Sequence, residues 1–157
     1  MTLALYRIDD RLIHGQVVVG WGQPLNCSFI VLVDDEVSSS DWEQDLYRMG
    51  VPPQIEVIFA SVEHAAAQFP TWEADARVGI LLVGDVDTAV ALATRVPQVK
   101  RFNVGGVHHR TGRKERLRFV YLTDEEAGKL RQLAAGGVEV TAQDVPTARA
   151  VPIGEFT

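Results

Sequence analysis

Val78-Gly79-Ile80-Leu81-Leu82-Val83 carries no polar side chain and is bounded by Arg77 on one side and Gly84-Asp85 on the other. A run this short fits a strand better than a helix. A strand without polar alternation is one buried on both faces, as the central strands of parallel sheets are. Working outward, similar short apolar runs recur near residues 3–8, 28–34, 54–60 and 99–104. Longer amphipathic stretches lie between them, near 16–25, 39–49, 62–69 and 86–95. Short apolar runs alternating with helical segments are the signature of βαβ units, so the fold class is α/β with a mainly parallel sheet.

Beyond Val104 the rhythm changes. Gly105-Gly106 breaks the chain, a basic loop follows, and 117–122 reads as one further short strand. Thr123 is placed to cap a helix, with Glu126 three residues on to complete a capping box. That helix should reach about Ala135 and end at Gly136-Gly137, before a last alternating strand over 138–142. The tail from Asp144, with Pro146 and Pro152, is expected to lie on the surface.

The chain has 157 residues, which suits one domain over 1–157 and is too short for two comfortable ones. With 46% hydrophobic and 23% charged residues it is no disordered chain. Arg7 interrupts the first apolar run too early for a signal peptide, and no apolar stretch approaches the roughly 20 residues of a membrane span. One cysteine, Cys27, excludes an internal disulfide and fits a reducing, cytoplasmic setting. The net charge of −6 argues against nucleic acid as a partner. The local exception runs from His108 to Arg118, where Arg110, Arg113, Lys114, Arg116 and Arg118 face only Glu115. It reads either as a solvated loop or as a docking surface for phosphate or an acidic partner.

Chemistry concentrates in Arg7-Ile8-Asp9-Asp10-Arg11-Leu12-Ile13-His14-Gly15-Gln16-Val17. Here the first strand ends, a short loop carries two acids, an arginine and a histidine, and a helix begins. In open α/β sheets ligands sit outside the carboxyl ends of the strands, where strand order reverses. A neutral imidazole is a competent nucleophile near neutral pH. Arg11 offers bidentate donors to a phosphoryl group, the helix start at Gly15 and Gln16 offers backbone N–H groups, and Asp9 or Asp10 would orient the ring or the arginine. The same residues also read as an ordinary charged loop with a solvated histidine. A metal at Asp9, Asp10 and His14 is the chemical rival, lacking a second histidine unless His108 or His109 approaches. No Gly-x-Ser-x-Gly elbow, Walker motif or dinucleotide fingerprint is present.

This run, with Trp21 a turn further on, closely resembles the signature of the IIB components of the mannose/fructose/sorbose class of the bacterial sugar phosphotransferase system. The resemblance continues through Val31–Val37, Val51-Pro52-Pro53, Phe102–Val107, Arg110-Thr111-Gly112, Leu122–Glu126 and Gly136–Val140. It implies an open, twisted sheet with helices on both faces and one late antiparallel strand. It further implies a histidine, at His14, phosphorylated on Nδ1 by the phosphohistidine of a IIA component. That phosphoryl group would pass to a sugar bound by the membrane components IIC and IID, at the inner face of the membrane. Arg11 would steady the phosphate and Asp10 shape the loop, with Asp9, Asp34, Gly105 and Gly106 as candidate rim residues. No metal or cofactor is called for. A regulatory phosphorelay on the same histidine, and a binding module without covalent chemistry, are the alternatives. His108-His109, where the family usually has small or apolar residues, and the basic stretch beyond it depart from the pattern.

Overall fold

A computed structural model describes residues 3–157. The stretch Gly79–Val83 forms β4, and all of its residues are buried. It is flanked in parallel by β1 (Leu3–Ile8) and β2 (Phe29–Val33), with Leu81 level with Tyr6 on one side and Val31 on the other. Outside β2 lies β3 (Glu56–Ala60), and outside β1 lies β5 (Arg101–Val104), followed by β8 (Glu139–Ala142) and β9 (Val151–Pro152). Among the described residues the sheet order is thus β3-β2-β4-β1-β5-β8-β9, with only β9 antiparallel. β1 is the middle strand of the seven.

Side-chain alternation divides this sheet into two buried layers. Tyr6, Val31, Val33, Leu81 and Val83 face α3 (Val62–Ala74), α4 (Val86–Arg95) and α5 (Asp124–Ala135). Leu5, Ile30, Leu32, Ile80 and Leu82 face the other way, toward Val17, Val18 and Trp21. Those three belong to a π-helical segment, Gln16–Trp21, that runs into the short α1 (Gly22–Leu25). On this second face also lies α2 (Asp41–Met49), whose residues are all at least partly exposed. No helix among the described residues is long and apolar enough to cross a membrane.

Four expectations need correction. Residues 117–122 are not one strand. The chain turns at Arg118-Phe119 and pairs β6 (Lys114–Leu117) with β7 (Val120–Leu122) as a separate antiparallel hairpin. This satisfies their backbone groups locally and sets Lys114 and Arg116 against Asp124 of α5. The helix expected to end near 69 continues to Ala74 through Pro70, because Phe69 and Trp72 on either side of the proline are both buried. The segment 16–25 begins with π-helical rather than α-helical winding. The tail from Asp144 lies on the surface only in part: β9 adds the antiparallel edge, and Phe156 is buried in the core.

Gly79 has a packing role that its place in an apolar strand does not reveal. A methyl group there would lie 2.3 Å from the buried ring of Phe29 on the neighbouring strand. Gly79→Ala is expected to lower stability by about 1–3 kcal/mol through overpacking. Urea unfolding of Gly79→Ala, Phe29→Leu and the double variant checks this. Additive losses would contradict the clash, whereas a double variant more stable than the sum supports it.

Candidate functional site

The loop after β1 rests on a buried cation. Arg7 is fully buried one residue before the strand's end. Its Nη1 donates to Asn103 Oδ1 at 2.6 Å and to the Gln143 carbonyl at 2.9 Å, and its Nη2 donates to the Asp144 carbonyl at 3.1 Å. Its Nε lies 3.4 Å from Asp9 Oδ2, and Trp21 covers the guanidinium at 5.0 Å. Burial pushes Arg7 down from its ordinary value against the pull of Asp9, but a guanidinium starts so far above neutrality that it stays charged. Gly105 makes room for it: a methyl group there would meet the guanidinium at 2.3 Å.

Asp9 is the fully buried counter-charge. Its Oδ1 accepts from the Arg11 amide at 3.2 Å, and its Oδ2 from the Gly106 amide at 3.4 Å. His14 Nε2 approaches Oδ1 to 3.1 Å, close enough for an ion pair but without the alignment of a formed hydrogen bond. Burial works to raise the Asp9 pKa, yet the contact with His14, the charge of Arg7 and the Arg11 amide together hold it below the usual carboxylate range. His14 is 19% exposed, and none of that exposure is at Nε2. Its outward side therefore carries Nδ1.

The turn between them is held by the Leu12 amide, which donates to the Asp9 carbonyl at 3.0 Å. Leu12 takes a left-handed backbone, φ 60°, while its side chain packs where a methyl on Gly84 would come within 2.7 Å. A bulky residue in that conformation is strained, a feature that clusters in functional loops. The carbonyl of His14 accepts from both Val17 and Val18 at 3.0 Å, fixing the histidine to the helix that follows. Arg11 is exposed, with no side-chain partner among the described residues.

The remaining candidates divide. Asp10 turns away from His14: its Oδ1 lies 2.6 Å from His108 Nδ1 and its Oδ2 accepts from the His108 amide at 2.7 Å. Asp9, Asp10 and His14 therefore do not converge on a common point. Asp34 spends Oδ1 capping the turn at Glu36 and Val37. Gly106 accepts from the Asp10 amide at 2.9 Å and, with Gly105, clamps the β5 end onto this loop. Gly15 is exposed and has open space at its α-carbon, while the Gln16 side chain donates to Asp144 Oδ1 at 2.6 Å.

Most of the basic loop is internally neutralised. Arg113 pairs with Glu126, and Lys114 and Arg116 pair with Asp124, leaving Arg110 and Arg118 exposed. Arg7 is not among the residues the loop motif singles out, although a charge between Tyr6 and Ile8 on a buried strand demands a partner and Asp9 is the next residue on the same face. Asn103, Gln143 and Asp144 carried no such signal, because only the sheet order brings them to β1.

Because the Asp9 carboxyl is held low, its contribution to stability is present above about pH 4, the unfolded value, and is lost as pH falls through its lower folded value. Asp9→Asn is expected to flatten the acid limb of a plot of urea midpoint against pH. An acid limb as steep as that of wild type would contradict this assignment. Arg7→Met should cost about 3–5 kcal/mol near neutral pH, because it leaves Asp9 buried without its counter-charge.

Comparison with known proteins now adds to this geometry. Residues 3–157 match the family described as the sorbose subfamily IIB component of the PTS system. The sorbose-specific EIIB component of Klebsiella pneumoniae is 29% identical over 153 residues, covering 98% of this chain and 93% of that protein. The mannose-specific EIIAB component of Escherichia coli (strain K12) is 31% identical over 151 residues, which take in 94% of this chain and 46% of that longer protein. The crystal structure of the N-acetylgalactosamine-specific IIB component 1 from Escherichia coli superposes with a TM-score of 0.87 at 30% identity, covering 95% of this chain and 97% of the other. With a buried Arg7–Asp9 pair beneath a rim histidine, and with likeness along its whole described length, the chain belongs to the sorbose-subfamily IIB components of the sugar phosphotransferase system.

Proposed function

We propose that this chain is a phosphocarrier that takes a phosphoryl group onto His14 Nδ1 from the phosphohistidine of a IIA component and yields it to a sugar held by IIC and IID. The observation that carries this reading is the arrangement of the His14 ring, with Nε2 buried against the buried carboxylate of Asp9 and the other edge turned outward. A carboxylate beside Nε2 favours the tautomer protonated there and leaves a lone pair on Nδ1. In-line attack by that lone pair forms the new P–N bond as the donor's P–N bond breaks. The charge spread over the equatorial oxygens then needs donors already in place. Arg11, exposed and uncommitted, supplies a guanidinium. The backbone N–H groups where the chain enters the π-helical segment supply further donors.

The surface beside the loop suits a protein partner. Trp42, Leu46 and Met49 lie along α2 at 67%, 55% and 82% exposure, an apolar stripe of a kind that marks association surfaces. With Ile13, the neighbour of His14, residues of α2 border an open groove of about 440 Å³. The fused naming of the mannose-specific EIIAB relative supports a IIA domain as the donor. On this reading the sugar is selected by the membrane components.

His14→Ala is expected to abolish the mass increment of one phosphoryl group when the chain is incubated with phosphoenolpyruvate, the general phosphotransferase proteins and a IIA carrier. Wild-type labelling of this variant would remove the proposal. Arg11→Ala should slow labelling by about 10- to 100-fold, the loss of one charge-assisted contact to phosphate, with the urea midpoint unchanged. Quench-flow with intact-mass readout measures it.

A further inference from the structure

Two consecutive carboxylates on the β1 loop serve two different imidazoles. Asp9 lies against His14 at 3.1 Å, and Asp10 holds His108. The second pair is the tighter. His108 Nδ1 lies 2.6 Å from Asp10 Oδ1, and since a carboxylate only accepts, Nδ1 is the donating nitrogen. The ring is 44% exposed, so Nε2 is left at its open side.

The imidazole is fixed by more than this one bond. Its backbone amide donates to the same carboxylate at 2.7 Å, and its carbonyl accepts from Arg113 Nη1 at 2.9 Å. Arg113 is itself clamped by Glu126 through Nε at 3.1 Å and Nη2 at 2.9 Å, and Glu126 closes the capping box of α5. A chain of ionic and hydrogen bonds from α5 through Arg113 to Asp10 thus holds one ring in place. His109, by contrast, packs edge-on against Tyr121 at 5.8 Å.

The two imidazole–carboxylate pairs lie on either side of Gly106. Its amide faces Asp9 Oδ2 at 3.4 Å. A methyl group on its α-carbon would lie 3.0 Å from His108 Cε1 and 3.5 Å from Asp9 Oδ1. One glycine therefore separates the Cε1 edge of His108 from the carboxylate that holds His14. The charges at this rim make the placement meaningful. Asp9 is balanced by Arg7, and Arg113 is shared between Glu126 and Asp10, which it reaches only at 3.9 Å. A phosphoryl dianion arriving here meets Arg11, whose guanidinium has no side-chain partner among the described residues.

Taking His14 as the phosphoryl carrier, as read above, we propose that His108 is a further catalytic residue: its protonated ring donates from Nε2 to a phosphoryl oxygen on His14 while Asp10 keeps the Nδ1 proton. The added proton comes from solvent as the dianion arrives, and no bond to phosphorus is made or broken at His108. Among the described residues the charged groups around the ring are Asp10 from the β1 loop, Asp9 across Gly106, and Arg113 at the His108 carbonyl, through which Glu126 of α5 acts.

Two variants separate contact with phosphate from the structural bond to Asp10. His108→Asn keeps an amide donor toward Asp10 and has nothing at the Nε2 position. His108→Gln extends a neutral donor toward that position. Each chain is equilibrated with a phosphorylated IIA carrier at pH 6.5, and the distribution of phosphate is read by intact mass. His108→Asn is expected to shift that distribution about tenfold toward the donor, and His108→Gln to recover part of the loss. The pH inflection of the phosphorus-31 resonance of the phosphohistidine should lie at a different pH in His108→Asn than in wild type. A His108→Asn protein that partitions as wild type does, or equal losses in both variants with the inflection unchanged, overturns the proposal. Absence of any phosphate on wild-type His14 overturns instead the phosphocarrier reading on which it rests.

Discussion

A guanidinium sealed inside a sheet is the constraint on which this molecule's working loop depends. Arg7 has no access to water, so its hydration must be replaced by protein acceptors. Those acceptors come from separate parts of the chain: Asp9 of its own loop, Asn103 on β5, and the carbonyls of Gln143 and Asp144 just after β8. A single side chain thereby ties the middle strand to its neighbour, to the strand beyond, and to the segment that leads into β9. Trp21 is drawn into the same cluster by stacking on Arg7 and donating to the Asp144 carbonyl at 3.1 Å. The helix that begins just after His14 is thus anchored at its far end to the cation beneath the histidine.

That arrangement lets a charged carboxylate sit buried directly under His14. Without Arg7, Asp9 would be driven toward its neutral acid and would no longer draw a proton onto Nε2. The loop above is shaped by sterics as much as by charge. Leu12 is held in a left-handed turn by burial of its side chain against Gly84, and the turn carries Arg11 outward and His14 back over Asp9. Asp10 points the other way, to the loop after β5, where it meets His108 and, through Arg113, the start of α5. Adjacent acids therefore brace opposite flanks of one site.

The basic stretch shows how sequence charge and surface charge differ. Five cations in nine residues read either as a solvated basic loop or as a docking surface. Three of the five are paired with Asp124 and Glu126 at the start of α5, where acids also suit the helix dipole. The hairpin that creates these pairs begins inside the basic stretch at Lys114 and runs through 117–122, which reads as one short strand. A turn at Arg118-Phe119 has no glycine, proline or asparagine to announce it. Pro70 shows the opposite case. It signals a helix end, but Phe69 and Trp72 are buried on the same helix and carry α3 past it.

Sequence alone determined what depends on local periodicity and short-range chemistry. This includes the βαβ alternation, the doubly buried β4, the capping box at Thr123 and Glu126, and the clustering of Asp9, Asp10, Arg11 and His14 between a strand and a helix. These rest on neighbours within a few residues, where side-chain spacing and backbone geometry leave few solutions. Tertiary structure decided which acid serves which histidine, that Arg7 is the buried support, and that the chain's end adds β9 and buries Phe156. Each of those follows from the sheet order, which sets β1 between β4 and β5 and brings residues about a hundred positions apart into hydrogen-bonding distance. Apart from Asp9, two residues on, this buried charge takes its partners from what the neighbouring strands and the segment after β8 present, and local sequence carries no record of those.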